Sequence, residues 1–480
     1  MNEITLPVSE LKTALSGLSK VVSRKSTLPV LQTVKLSRNS EGRVSLSATD
    51  LDTFVTYNVE PSQPGQPLDV LLPFEQLNKT VKGSNGDVLV IPEAKDKARL
   101  RYQIGESPLE QSVATLAPEE FPPTPQITQP AMVMPSNFGE TLRQAYETSS
   151  TDSSRYVLQG AYLDVQEPKC HTIVSTNGRA LFAANTFQFD LKASVNIPRH
   201  KFLAWSGFLE GECTLAVQSD KNKAGWVKLT TPHWNCIVKQ IDGQFPKWRQ
   251  VVPQDTETWT KVQLSEAAIA QMLNLSPKLP GEDNENRTLQ LRVDKELHLE
   301  GKNKDDKEFT GAAIAGVKIS GKAVTTALNR EYLQNALRCG LDEIRIHSEF
   351  EPLVFCRPGK RMVVMPVRLS GPPTTVPKPA PASQTSTPTK PPASNPAVVE
   401  RKTEMPPNAT PKPQPPAANG SAARDALTQI DSVKTCLRQA IDGLNDLTGL
   451  LKQVEKDKRT SEKEVASVRQ TLRSLQDIKF

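Results

Sequence analysis

Apolar and polar positions recur in a fixed order along the first 369 residues. Three segments, "LPVSELKTALSGL" (6–18), "MPSNFGETLRQAY" (134–146) and "LSEAAIAQMLNL" (264–275), set small polar residues ahead of apolar positions spaced three and four apart. That spacing predicts capped amphipathic helices. A second trio, "LPFEQLNKTV" (72–81), "IPRHKFLAWSGFL" (197–209) and "LNREYLQNAL" (328–337), predicts another helix per cycle. Between them, strict alternation in 43–59, 171–187 and 296–314 predicts strand–turn–strand pairs. Corresponding features return about every 125–130 residues. That period is too long for a solenoid unit and fits three copies of one small α+β domain. Proline and polar clusters at 116–131 and 251–260 place the domains at 1–125, 126–253 and 254–369.

The pattern changes abruptly after Leu369. Residues 371–420 hold 15 of the 39 prolines and no Leu, Ile, Phe, Tyr or Trp. Such a segment buries too little apolar surface to fold, so 370–423 is expected to be an extended, disordered linker. Order returns in 424–480 as a heptad repeat. Ile430, Leu437, Leu444, Leu451 and Leu472 share one seam position, and Val433, Leu447, Val454, Val468 and Leu475 the other, with breaks at Lys458 and Ser461. This predicts a long coiled-coil helix, available for self-association or for an unidentified partner.

Charge narrows the reading further. The net charge is +6, yet residues 1–370 hold 43 Lys and Arg against 42 Asp and Glu. The body is therefore not a uniformly basic coat, and any nucleic-acid contact must come from locally sorted charge. Six scattered cysteines without a CxxC pair read as reduced thiols in a cytoplasmic protein. No leader pattern and no membrane-spanning run is present, so no membrane association is expected. The five histidines form no ligand pattern, and no phosphate loop or nucleophile elbow occurs, so no metal, cofactor or catalytic site is expected. Asp50 in "ATD" has Asn177 as its counterpart one repeat later, which favours a shared tight-turn role over catalysis.

Four motifs carry a family resemblance. "STLPVLQTVKLS" with "LSATDLDTFV", "RYVLQGAYLDV" with "VSTNGRALFA", "IDGQFPKWRQVVP" and "MVVMPVRL" stand in the order and spacing of the bacterial DNA polymerase III beta subunit, the sliding clamp. The chain resembles that family over residues 1–369. The resemblance implies three clamp domains per chain, helices lining a pore and antiparallel sheets outside. It implies a head-to-tail homodimer closed around duplex DNA, tethering DNA polymerase without catalysis.

It also implies two sets of site residues. Phosphate contacts, made without sequence readout, would fall to Lys12, Lys20, Arg24, Lys25, Lys79 and Lys82 in the first domain. Arg143, Arg199 and Lys201 would serve in the second, and Arg330 and Arg338 in the third. A groove for peptides of the polymerase and clamp loader would be formed by Leu158, Thr176, Gly178, Arg179, Leu181, Pro246, Val251, Val364, Met365, Pro366, Val367 and Arg368, with Asn329 and Tyr332 on its rim. Where the family reads T-D-G-H-R-L, this chain reads Thr176-Asn177-Gly178-Arg179-Ala180-Leu181. Ala180 opens the groove and removes a donor, so a clamp-like scaffold or decoy with other partners is the alternative. Chains of the family end at the residues matching Met365–Leu369, so the added linker starts at the groove's lip.

Overall fold

The computed structural model describes residues 3–368, apart from 95, 210, 221–222, 255–258 and 282–285. The linker and the coiled coil expected from the sequence lie outside the described residues.

Five α-helices appear among the described residues: α1 (Val8–Leu18), α2 (Phe74–Gly83), α3 (Phe138–Thr148), α4 (Glu266–Leu275) and α5 (Arg330–Arg338). Each buries one stripe; α1, for example, puts Val8, Leu11, Ala14, Leu15 and Leu18 into the core. Of the three segments read as capped, one has a true side-chain cap: Ser265 accepts from the Ala268 N–H at 3.2 Å. α1 instead begins directly after Pro7, and the Asn137 side chain makes no cap bond to α3.

The helix expected at 197–209 is replaced by a string of turns following the strand Val195–Pro198. The apolar side chains are buried nonetheless, with Phe202 and Leu203 at 0% exposure. Trp205 explains the difference. Its ring crosses Trp234 at 90° and lies over Gly17 of α1 and over its own neighbour Gly207, leaving no room for a Cβ at either glycine. Packing of two indoles on a bare helix surface overrides a weak local helix preference.

All three expected hairpins form. They are Val44–Thr49 with Thr53–Val59, His171–Thr176 with Ala180–Phe187, and Leu297–Gly301 with Thr310–Ile314. Two of them build the seams of the molecule. Thr53–Val59 pairs antiparallel with Trp234–Lys239, joining an eight-stranded sheet. Ala180–Phe187 pairs antiparallel with Lys360–Val364, joining a nine-stranded sheet. The third hairpin ends a four-stranded sheet, and Thr310–Ile314 is an edge strand. A second four-stranded sheet ends at the strand Ser107–Ala114.

Alternation along the nine-stranded sheet sorts side chains to two cores. Ile173, Phe182, Phe355, Met362 and Val364 face the large core beneath the helices. Val174, Leu181, Ala183, Val354 and Val363 face a second cluster with Phe245 and Trp259. A sheet buried on both faces reads as continuous apolar runs, which is why residues 362–364 did not reveal their parity.

Cys213, Cys236 and Cys339 are buried and Cys170 and Cys356 half-buried, with no disulfide among the described residues. Burial pushes Cys213 and Cys339 up to about 12. No described helix is long and apolar enough to cross a membrane, and no metal-holding cluster occurs among the described residues.

Candidate functional site

The cations expected to meet phosphate occupy unequal positions. Lys12 on α1 and Lys79 and Lys82 on α2 are exposed. Lys20 follows the end of α1, and Arg24 and Lys25 lie in the next loop. Lys12, Arg24 and Lys82 border one depression of about 360 Å³ floored by Phe74 and Val81. Arg24 is not free there: its Nε lies 2.9 Å from Glu75, and its guanidinium sits over the Phe74 ring at 5.6 Å. Arg199, Lys201 and Arg338 are exposed, whereas Arg143 is half-buried on α3 between the exposed Glu140 and Glu147.

Arg330 is a correction to the sequence reading. At 2% exposure it is the largest fully buried side chain, and its Nη2 donates to the carbonyls of Leu279 (2.8 Å) and Pro280 (2.6 Å). A guanidinium spent on backbone carbonyls inside the fold cannot reach a phosphate. Its role is to hold the α4 exit loop against α5.

The groove set is largely brought together along the second seam. Leu158, closing the 3-10 turn Ser153–Leu158, packs with Leu181 on the second apolar cluster. Met365 (47% exposed) continues the ladder, its N–H donating to Arg179 O at 2.9 Å, and Val251 (60%) is open on the far side. Val367 N–H reaches Ala327 O at 2.8 Å, and Arg368 lies over Phe350 at 5.8 Å. Pro246 is exposed and Pro366 half-buried.

Val364 is the second correction: it is fully buried on the helix-side core, and the groove face of that strand is carried by Val363. The residues missed were Val363 and the cluster beneath it. Their signal was the alternation itself, which needed one fixed point to give its phase.

The turn at the groove's lip uses side chains as structure. Thr176 Oγ1 accepts from Gly178 N–H at 3.0 Å and donates to Ala180 O at 2.7 Å. Asn177 Oδ1 accepts from the N–H groups of Arg179 (2.9 Å) and Ala180 (2.8 Å). Gly178 sits at φ +87°, where a side chain is strained. Arg179 reaches Asn286 at 2.9 Å, and the Asn177 amide donates to the Tyr332 hydroxyl at 3.1 Å. Asn329 caps α5 by accepting from Glu331 N–H at 2.8 Å.

The loop carrying Phe245 to Val251 is anchored by a residue the sequence did not flag. Asp164, 1% exposed, accepts from the Trp248 indole at 2.7 Å and from Arg249, whose Nε also meets Glu167 at 2.7 Å. The Arg249 guanidinium stacks on Trp248 at 4.5 Å. These bonds hold the loop in place beside the second apolar cluster.

Antiparallel sheets of four, eight and nine strands with few α-helices among the described residues give the α+β fold of the clamps. Residues 3–125 match the family described as DNA polymerase III beta subunit, N-terminal domain. The chain is 25% identical over 334 residues to the beta sliding clamp of Pseudomonas putida, covering 67% of this chain and 86% of that protein. It is 24% identical over 387 residues to that of Synechococcus elongatus, covering 75% and 98%. The solved sliding clamp of Bacillus subtilis superposes with a TM-score of 0.66 at 18% identity, covering 77% of this chain and 99% of that one. The DNA polymerase III subunit beta of Pseudomonas aeruginosa superposes with a TM-score of 0.63 at 22% identity, covering 76% and 100%. Over about three-quarters of its length, then, this chain is similar to the beta sliding clamps, a family of non-catalytic processivity factors.

Proposed function

We propose that the protein is a DNA sliding clamp. Two chains close head to tail into a ring around duplex DNA and hold a DNA polymerase there, the polymerase and the clamp loader docking through the groove between the second and third repeats. DNA is met without sequence readout, chiefly by Lys12, Lys20, Lys25, Lys79, Lys82, Lys201 and Arg338, with Arg24 and Arg143 in support, whereas Arg199, counted with them from the sequence, lines a cleft at the first seam. The apolar groove suits short peptide anchors because Leu181, Val363 and Met365 offer aliphatic surface beside a pre-positioned loop.

The observation that carries this reading is the pattern of strand edges. The closing strand of the first hairpin pairs with the last strand of the second repeat, and that of the second hairpin with the last strand of the third. The same rule pairs Thr310–Ile314 with the last strand of a first repeat, Ser107–Ala114, which only a second copy can present at its free edge. Both are edge strands, and Ile104 (45%), Leu109 (39%) and Phe309 (38%) are exposed beside them.

The native mass of residues 1–377, which leave out the heptad-repeat sequence, tests the pairing. A dimer that Leu109→Asp converts to a monomer is the expected result. A monomer at all concentrations would overturn head-to-tail closure.

A further inference from the structure

The architecture of the docking groove occurs twice. At the seam between the first and second repeats, Leu51 N–H donates to Thr49 Oγ1 at 2.9 Å and Thr53 N–H to Asp50 Oδ1 at 2.7 Å. These are the bonds that Gly178 and Ala180 make to Thr176 and Asn177. Leu51 takes φ +84° where Gly178 takes +87°. Lys239 N–H donates to Asp52 O at 2.8 Å, as Met365 N–H does to Arg179 O. Asp50 then reaches His200 at 3.1 Å across the seam, where Asn177 reaches Tyr332 at 3.1 Å. The register is therefore shared, and only the side chains differ.

Beside this first seam lies an open cleft of about 1380 Å³. Its lining comes from the residues that correspond to the groove: the turn at Asp50 to Thr53, and Val238 to Asp242 in place of Val364 to Arg368. Its volume exceeds the roughly 300–1,000 Å³ of a small-molecule pocket. Trp226 and Ile241 supply an apolar floor, and Tyr156, 54% exposed, borders it. Asp50 is engaged by His200 and Asp52 by Lys239 at 3.2 Å. Arg199 is exposed and has no carboxylate within ion-pairing distance among the described residues. Asp242 is also exposed, with one oxygen accepting the Gly243 N–H. Asp50 and Asp52 are each matched by a basic side chain, which leaves Arg199 and Asp242 to balance one another, so the cleft offers a phosphate backbone no net attraction. A cation and a carboxylate that each lack an ion-pair partner among the described residues, beside an apolar floor, suit a peptide carrying both charges.

We propose that this cleft is a second peptide-docking site, taking a partner segment that offers an acidic side chain to Arg199, an aliphatic one to Trp226 and Ile241, and a basic one to Asp242. The comparison rests on the groove reading above, but the site itself is tested separately.

The probe is fluorescein-labelled acetyl-Glu-Leu-Leu-Lys-amide, read by anisotropy with the full-length protein. Saturable binding is expected, weakened at least tenfold by Arg199→Glu, kept by Arg199→Lys and unaffected by Leu181→Asp in the other groove. The charge-swapped peptide, acetyl-Lys-Leu-Leu-Glu-amide, should bind the Arg199→Glu, Asp242→Lys double variant better than the native protein. Absence of saturation up to millimolar protein, or equal binding by Arg199→Glu, would overturn the proposal. Loss on Leu181→Asp with none on Arg199→Glu would also overturn it, by placing the peptide in the second groove. Failure of groove peptides to bind while this probe binds would instead count against the groove reading alone.

Discussion

The Asn177 amide donates to the Tyr332 hydroxyl at 3.1 Å, joining residues 155 positions apart across the second seam. The bond ties the turn at the groove's lip to α5, so the lip and the rim move as one piece. Tyr332 is only half-buried, and one neutral hydrogen bond there contributes about 0.5–1.5 kcal/mol. Tyr332→Phe should therefore lower unfolding stability by about that amount in a denaturant titration. It should also weaken groove-peptide binding a few-fold. Unchanged binding would detach the rim from docking.

Acid should act on the first seam. Burial alone would raise the Asp50 carboxyl, but the hydrogen bond and charge of His200, with the Thr53 N–H, outweigh it and hold it below the ordinary range. The folded chain thus takes up this proton less readily than the unfolded chain. The stability it supplies is complete above the ordinary carboxylate range and is lost as pH falls through that range and below it. Asp50→Asn should lower the unfolding midpoint near neutrality, where that stability is complete, and converge on the native protein in acid, so that its midpoint falls less steeply across that window. An unaltered acid slope would show that Asp50 is not among the groups linked to folding.

Arg330 and Lys82 separate structure from DNA contact. Arg330→Ala leaves the Leu279 and Pro280 carbonyls without their partner inside the fold. The cost expected is about 2–4 kcal/mol of stability, with DNA affinity per folded molecule unchanged. Lys82→Glu, at an exposed position, should leave stability within about 0.5 kcal/mol and reduce the salt slope of DNA binding by about one. Calorimetry and salt-dependent binding together check both.

The three hairpins were legible because alternation is a local signal and each pair closes on itself. The pairing of Asp50 with Asn177 as turn residues could be read from two matching triplets, "ATD" and "STN", and the bonds agree. What escaped was set by distant partners. Arg330 sits at an ordinary polar helix position, and its burial is decided by the Leu279–Pro280 carbonyls 50 residues earlier. The turns at 197–209 depend on Trp205 meeting Gly17 and Trp234 from elsewhere in the chain. Val363 and Val364 look alike in sequence, and only the sheet's phase assigns one to the groove and the other to the core.

The most direct test of the clamp is topological. The full-length protein, placed by a bacterial clamp loader with ATP onto nicked circular DNA, is washed with high salt before and after the circle is cut. A ring that holds DNA by encirclement stays on the circle through the wash and slides off once the DNA is linear. Release from the intact circle by salt, or retention unchanged on linear DNA, would contradict the account, because binding would then rest on surface charge rather than on closure.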